Sequence, residues 1–231
     1  MEINNFIEEL KKINILLNNK QLEQLEQFYK FLIEKNKVMN LTGITEKKDV
    51  YLKHFYDSLT LNKIIDLKTI NTLCDLGSGA GFPGIVLKIC FPDIQMVLVD
   101  SLTKRINFLN EVISKLKLKN ITTSLSRIEE YSINNKEKFD LVTARAVSQT
   151  NILLELGCQL PKVGGYFITM KANDDVINLN MLNQLSYIEN KKIVFTLPIE
   201  NSIRTLTIYK KINHVLKIFP RKFKEIKNNP L

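Results

Sequence analysis

The stretch Asp75-Leu-Gly-Ser-Gly-Ala-Gly-Phe-Pro-Gly84 carries four of the eight glycines in this 231-residue chain. Such a density marks backbone that must turn tightly or approach a neighbour without side chains in the way. It follows the apolar run Thr72-Leu-Cys-Asp-Leu76 and precedes apolar residues at helical spacing, so it reads as a strand, a sharp turn and a helix start. In open α/β sheets, nucleotide-like ligands bind at such a turn, outside the carboxyl end of the strand.

Moving toward the N-terminus, the first 42 residues contain neither Gly nor Pro, and Ile3, Phe6, Ile7, Leu10 and then Leu22, Leu25, Tyr29, Leu32 recur at helical spacing. They predict two amphipathic helices, with a third over Lys47 to Ile64. Toward the C-terminus, short β-branched runs predict strands at Thr72–Leu76, Met96–Asp100, Ile121–Leu125, Phe139–Thr143, Gly165–Met170, Lys192–Leu197 and Thr205–Lys210. Helical patterns, clearest over Lys104 to Leu116, separate the first five, as βαβ units require. About seven residues around Pro198 join the last two, too few for the roughly dozen that a parallel crossover needs, so these two should pair antiparallel. The expected architecture is an α/β fold with a seven-stranded sheet and one reversed strand. A helical cap over 1–65, an α/β core over 66–212 and a basic tail over 213–231 divide it as one compact unit.

Composition narrows the setting. No stretch approaches the ~18 uninterrupted apolar residues of a membrane span, and the start Met-Glu-Ile-Asn-Asn lacks a basic leader, so the chain reads as cytoplasmic. Cys74, Cys90 and Cys158 are widely spaced in apolar contexts and read as buried free thiols. With only His54 and His214 to add imidazoles, no metal is expected. The net charge is +9, and residues 203–231 carry eight basic side chains against one acidic, which points to a polyanion such as nucleic acid.

The ligand class follows from what surrounds the glycines. A dinucleotide fingerprint counted from Gly77 and Gly79 needs glycine at position 82, where this chain has Phe82, so hydride transfer loses ground. Asp75 would repel a pyrophosphate but suits the ammonium of an amino acid. Asp100 closes the second strand, where a carboxylate accepts hydrogen bonds from ribose hydroxyls. After the third, Ser126-Arg-Ile-Glu129 offers Ile128 as an apolar wall and Glu129 as acceptor for an adenine amine. Amino acid, ribose and adenine on consecutive strand ends describe S-adenosylmethionine.

Six segments then carry a resemblance: Asn40-Leu-Thr-Gly-Ile44, Lys53-His-Phe-Tyr-Asp-Ser58, the glycine stretch, Asp100-Ser-Leu-Thr-Lys-Arg105, Ser126-Arg-Ile-Glu129 and Ala144-Arg-Ala146. Together they resemble the bacterial small-subunit ribosomal RNA guanine-N7 methyltransferases, once called glucose-inhibited division protein B, from about residue 20 to the end. The resemblance implies a class I methyltransferase fold, S-adenosylmethionine as donor and 16S rRNA or the small ribosomal subunit as partner, with no obligate protein partner. It implies cofactor contacts at Gly77, Phe82, Ile128, Glu129 and Arg145. Where family members commonly have Lys-Gly after the fifth strand, this chain has Lys171-Ala172. Phe219-Pro-Arg-Lys222 resembles the basic tail of some members.

Guanine N7 keeps a free lone pair, so methylation there needs positioning and electrostatics rather than a general base. No catalytic residue is therefore assigned beyond positioning candidates Arg145 and His54. Arginine is scarce, five against 28 lysines, so each planar fork carries information. Arg145, ending the fourth strand, is placed to hold a phosphate, a guanine edge or the cofactor carboxylate. Arg204 is a substrate candidate with Glu200 as a possible plain partner, and Lys171, Arg221 and Lys222 join it. His54 and Asp57, three apart on one helical face, are candidates to close the cleft. Two rivals stay open: a small-molecule methyltransferase, which predicts activity indifferent to loss of 213–231, and a noncatalytic RNA-binding assembly factor.

Overall fold

The computed structural model describes residues 1–173 and 176–231. Among them one sheet contains β1 Thr72–Leu76, β2 Gln95–Asp100, β3 Ile121–Leu125, β4 Phe139–Arg145, β5 Pro161–Lys171, β6 Tyr187–Thr196 and β7 Ile203–Lys211. Their spatial order is β3-β2-β1-β4-β5-β7-β6. The pairs β1–β2, β2–β3, β1–β4 and β4–β5 are parallel, and β7 runs antiparallel to both its neighbours. The expected reversed strand is thus β7. The connection order reverses between β1 and β4, so the crevice above their carboxyl ends is the place where such sheets bind ligands.

Before the sheet come α1 Ile3–Lys11 and α2 Asn19–Met39. Asn18 caps α2 reciprocally with Gln21, each side chain accepting from the other's backbone N–H at 2.9 Å. The third predicted helix is one helical run, but not uniformly α. It winds from α3 Lys47–Asp49 through a π-helical Val50–Tyr56 and α4 Asp57–Leu59 into a 3-10 end at Thr60–Lys63. All of Val50–Tyr56 except Lys53 is buried, and extra residues per turn let so wide an apolar and aromatic surface face inward.

Within the α/β body the helices are α5 Gly84–Cys90, α6 Thr103–Lys115, α7 Ile128–Asn134, α8 Thr150–Leu156 and α9 Leu179–Gln184, and α10 Phe223–Asn228 follows the sheet. Successive residues of β1 point to opposite faces: Leu73 joins the core containing Phe6, Phe28 and Phe55, while Cys74 and Leu76 join the core with Leu153, Phe167 and Tyr187. The N-terminal helices therefore share a core with one face of the sheet. Gln21 of α2 fixes this docking by donating to the carbonyls of Ile89 and Cys90 at 3.0 Å each, which satisfies acceptors orphaned at the end of α5. All three cysteines are free and buried.

Five of the strands run past their sequence-predicted limits, β5 and β6 the furthest. β6 begins at Tyr187 rather than Lys192, because Glu189 and Lys191 are held by pairing with β7, on either side of a register shift at Asn190, and not by their own propensity. β5 begins at Pro161 rather than Gly165.

Candidate active site

The glycine turn owes its shape to left-handed backbone, with φ of +66° at Gly77, +57° at Gly79 and +91° at Gly81. At Gly77 space is equally decisive: a Cβ there would lie 2.6 Å from a methyl of Val147, so the loops after β1 and β4 pack flush across the crevice. Gly84 lets α5 sit against the sheet, since its Cβ would meet Leu98 at 2.3 Å and the Asp75 carboxylate at 2.7 Å. Into that gap Gly84 N–H donates to Asp75 Oδ2 at 3.0 Å.

Asp75, expected at a ligand ammonium, is fully buried beneath the turn, where it anchors the start of α5, and it lines neither of the cavities described below. Among the described residues its Oδ1 has no hydrogen-bond partner, and burial pushes its carboxyl up to about 7.

Above the strand ends lies a cavity of about 510 Å³, within the size range of ligand sites. Gly77, Asp100, Ile128 and Glu129 line it, with Arg105, Arg127, Val147, Ile152 and Leu156. Asp100 is held by three donors: Gly79 N–H at 2.9 Å, Leu102 N–H at 3.0 Å and Arg105 Nη1 at 3.3 Å. Gly79 thus acts through Asp100 and does not line the cavity itself. Glu129 accepts from Arg127 Nε at 2.7 Å. Four of the eight expected cofactor residues therefore converge on one cavity.

A second cavity of about 410 Å³ adjoins it, with Ala146 lining both. His54, Asp57, Lys171 and Arg204, four of the expected substrate residues, line the second one together with Arg145 and Lys53. Arg145, expected at a phosphate, a guanine edge or the cofactor carboxylate, is turned toward the helical cap. Its Nη1 donates to Asp57 Oδ2 at 3.0 Å and to the Lys53 carbonyl at 2.9 Å. Asp57 Oδ1 accepts from Arg204 Nε at 3.0 Å, so one carboxylate bridges two guanidinium groups. Arg204's partner is therefore Asp57 and not Glu200, which pairs with Lys53 at 3.2 Å. Lys171 donates to the carbonyl of Ser148, and Ala172 puts a methyl at the wall where a glycine would leave space.

His54 reads as a neutral spacer. Burial first, and then the adjacent Arg145 charge, push it down to about 3. Arg145 Nη2 lies 3.1 Å from His54 Nδ1 and can only donate, so Nδ1 accepts and Nε2–H points to Thr42 Oγ1 at 2.8 Å. Phe82, also expected at the cofactor, is buried against the cap instead: the His54 ring stacks on it at 4.3 Å between centroids, and the Arg145 guanidinium lies 5.2 Å from its centre. An aromatic at a fingerprint glycine position is here a prop for the arginine.

The basic tail is docked on the body. Arg221 binds Glu155 through two bonds, Nε–Oε1 at 2.6 Å and Nη2–Oε2 at 2.7 Å. Glu155 is fully buried, so this fork is committed to holding the tail and not to a substrate. Lys217, Lys222, Lys224 and Lys227 stay exposed. Phe223 and Lys227 reach the larger cavity, so deleting 213–231 would damage that cavity and no longer separates an RNA substrate from a small one.

The rRNA small subunit methyltransferase G family matches this chain over residues 21–207. The chain belongs to that family. A relative called ribosomal RNA small subunit methyltransferase G in Bacillus licheniformis is 45% identical over 228 residues, covering 96% of this chain and 95% of that protein. One of the same name in Lachnoclostridium phytofermentans is 47% identical over 222 residues, covering 94% and 92%. Among solved structures, a SAM dependent methyltransferase from Aquifex aeolicus aligns with a TM-score of 0.55 at 16% identity, over 78% of this chain and 98% of that one. N-methyltransferase NodS from Bradyrhizobium japonicum aligns at 0.51 with 13% identity, over 68% and 94%. These likenesses show the class I methyltransferase fold.

Sequence reasoning missed three parts of the site. Val147 and Ser148 follow β4 without a motif of their own, Thr42 lies in the segment Asn40-Leu-Thr-Gly-Ile44 but is assigned no role there as the partner of His54 Nε2, and Phe223 arrives from the tail. Arg127, which lines the larger cavity, carries two sequence signals, the scarcity of arginine and its place in the Ser126-Arg-Ile-Glu129 segment, but is assigned no role from them. Among the described residues no helix is long and apolar enough to cross a membrane, and no group of three His, Cys, Asp or Glu side chains could hold a metal ion.

Proposed function

We propose that this family member transfers the methyl group of S-adenosylmethionine to N7 of a guanine in small-subunit (16S) ribosomal RNA, in the cytoplasm. The observation that carries the reading is the pair of adjoining cavities sharing Ala146, one lined by Asp100, Ile128 and Glu129 and the other rich in cationic side chains. The larger one fits the cofactor in its chemistry. Asp100 has acceptor capacity for ribose hydroxyls, Glu129 for an exocyclic amine, Ile128 and Leu156 offer apolar walls, and bare Gly77 permits close backbone approach. When bound, S-adenosylmethionine supplies an electrophilic methyl on a sulfonium.

The chain's residues then bind and orient. Lys53, Lys171, Arg145 and Arg204 give the smaller cavity positive potential that suits a phosphate-bearing nucleotide brought out of its stack. Asp57 holds both guanidinium groups so that neither collapses into the opening. Neutral His54, with both ring nitrogens engaged, has no free lone pair for proton abstraction, which agrees with a nucleophile that needs none. In this reading 1–65 serve as a cap, 66–212 as the methyltransferase core and 213–231 as a docked basic tail.

The test is methyl transfer from labelled S-adenosylmethionine to small subunits and to free 16S rRNA, both from cells lacking this modification, with the site mapped by reductive cleavage at 7-methylguanosine. Label in a single guanine of either substrate is expected. No transfer to any ribosomal substrate would sink the proposal.

A further inference from the structure

The family match ends at residue 207, yet the wall of the larger cavity continues with residues 223 and 227. A helix of six residues, α10, has little stability of its own. Here it is fastened from several sides. Gln159 donates to the carbonyls of Leu216 at 3.1 Å and Phe219 at 2.9 Å, Arg221 grips buried Glu155, and Ile226 is fully buried. Despite these anchors Phe223 is left 36% exposed. One neighbour of its ring is the Arg127 guanidinium, 4.7 Å from the ring centre, and Arg127 in turn binds Glu129. An aromatic ring, an arginine plane and a carboxylate therefore border the same cavity as Ile128.

We infer that Phe223 is an adenosine-binding residue and that the docked segment from Val215 to Asn228 is a wall of the cofactor cavity. The inference rests on the reading of that cavity as the S-adenosylmethionine site. A partly exposed aromatic beside an apolar isoleucine and a base acceptor suits a flat heteroaromatic ring, which would cover the apolar area left open. Nothing in the segment belongs to the glycine turn or to the strand ends, so this contact is added from outside the Rossmann-like core.

Calorimetry on the full chain with S-adenosylhomocysteine and with 5′-methylthioadenosine, which lacks the amino-acid moiety, tests it. Phe223→Ala should weaken both ligands about tenfold, and Phe223→Tyr should restore binding to within about twofold, because the ring face is kept. The melting temperature of Phe223→Ala should stay within about 2 °C, as for a partly exposed side chain. Unchanged affinity of the alanine variant for both ligands overturns the inference. So does a loss confined to S-adenosylhomocysteine, which would put the effect at the amino-acid end, or a loss with a fall in melting temperature that tyrosine does not rescue. If the unaltered chain binds neither ligand, the assignment of the cavity itself falls, and this inference with it.

Discussion

Asp57→Asn probes the bridge that positions the cationic cavity. The carboxylate is 7% exposed, and it lies 3.0 Å from each of two guanidinium groups whose side chains are 15% and 18% exposed. Breaking a buried ion pair from one side costs about 3–5 kcal/mol, because the surviving charge stays buried without compensation. Asparagine keeps one acceptor oxygen but turns an amide N–H₂ toward the other guanidinium, so the lower end, about 3 kcal/mol, applies. At about 2–4 °C per kcal/mol for a chain of this size, the melting temperature should fall by about 6–12 °C. Asp57 lines only the smaller cavity, so affinity for S-adenosylhomocysteine should stay within about twofold while methylation of rRNA falls at least tenfold. Adding Arg204→Gln removes the charge stranded by the first change and should cost less than the two separate effects combined. Thermal unfolding, calorimetry and the methylation assay read all three. A melting temperature within about 2 °C of the unaltered chain, or a cofactor affinity that falls as far as the activity, would refute the reasoning.

Gly84→Ala should destabilise by about 2–3 kcal/mol by overpacking, since its Cβ would press on Leu98 and on the carboxylate that holds α5; unfolding in urea at an unchanged midpoint would contradict this. Glu129→Ala should weaken S-adenosylhomocysteine about tenfold, the loss of one hydrogen bond to a charged acceptor, with the fold intact; equal calorimetric affinities would remove Glu129 from the cofactor site. His54 titrates at about 3 when folded against an unfolded value near 6.5, so the unfolded chain takes up the proton first as pH falls. The stability linked to His54 is present above pH 6.5 and is lost progressively below it, by about 2 kcal/mol at pH 5. Comparing the chain with His54→Asn in denaturant from pH 7 to pH 5 isolates this, because Asp75, whose raised value near 7 acts in the opposite sense, is common to both. A stability difference independent of pH would show that His54 is not held neutral.

The sequence by itself determined the strands, the glycine turn and the acidic and apolar residues at the strand ends. Each of these is written in a single short segment. A short apolar run marks β1, left-handed backbone demands Gly77 and Gly79, Asp100 ends β2, and Glu129 opens the helix α7 that follows β3. Side chains carried at or just beyond the ends of parallel neighbours meet above the sheet, which is why Asp100, Ile128 and Glu129 line one cavity. Tertiary structure alone decided the partners. Arg204 has an acid four residues away in Glu200 but binds Asp57, 147 residues distant. Arg221 belongs to a run of positive charge that reads as a nucleic-acid tail, yet it closes on Glu155, which reads from sequence only as one more residue of a helix. Phe82, at the position of a fingerprint glycine, turns away from the cavity because the cap supplies His54 to stack on it. Ion pairs and ring contacts have no sequence period: they form wherever packing brings two distant segments within a few ångströms, and burial then makes one pairing far cheaper than the alternatives.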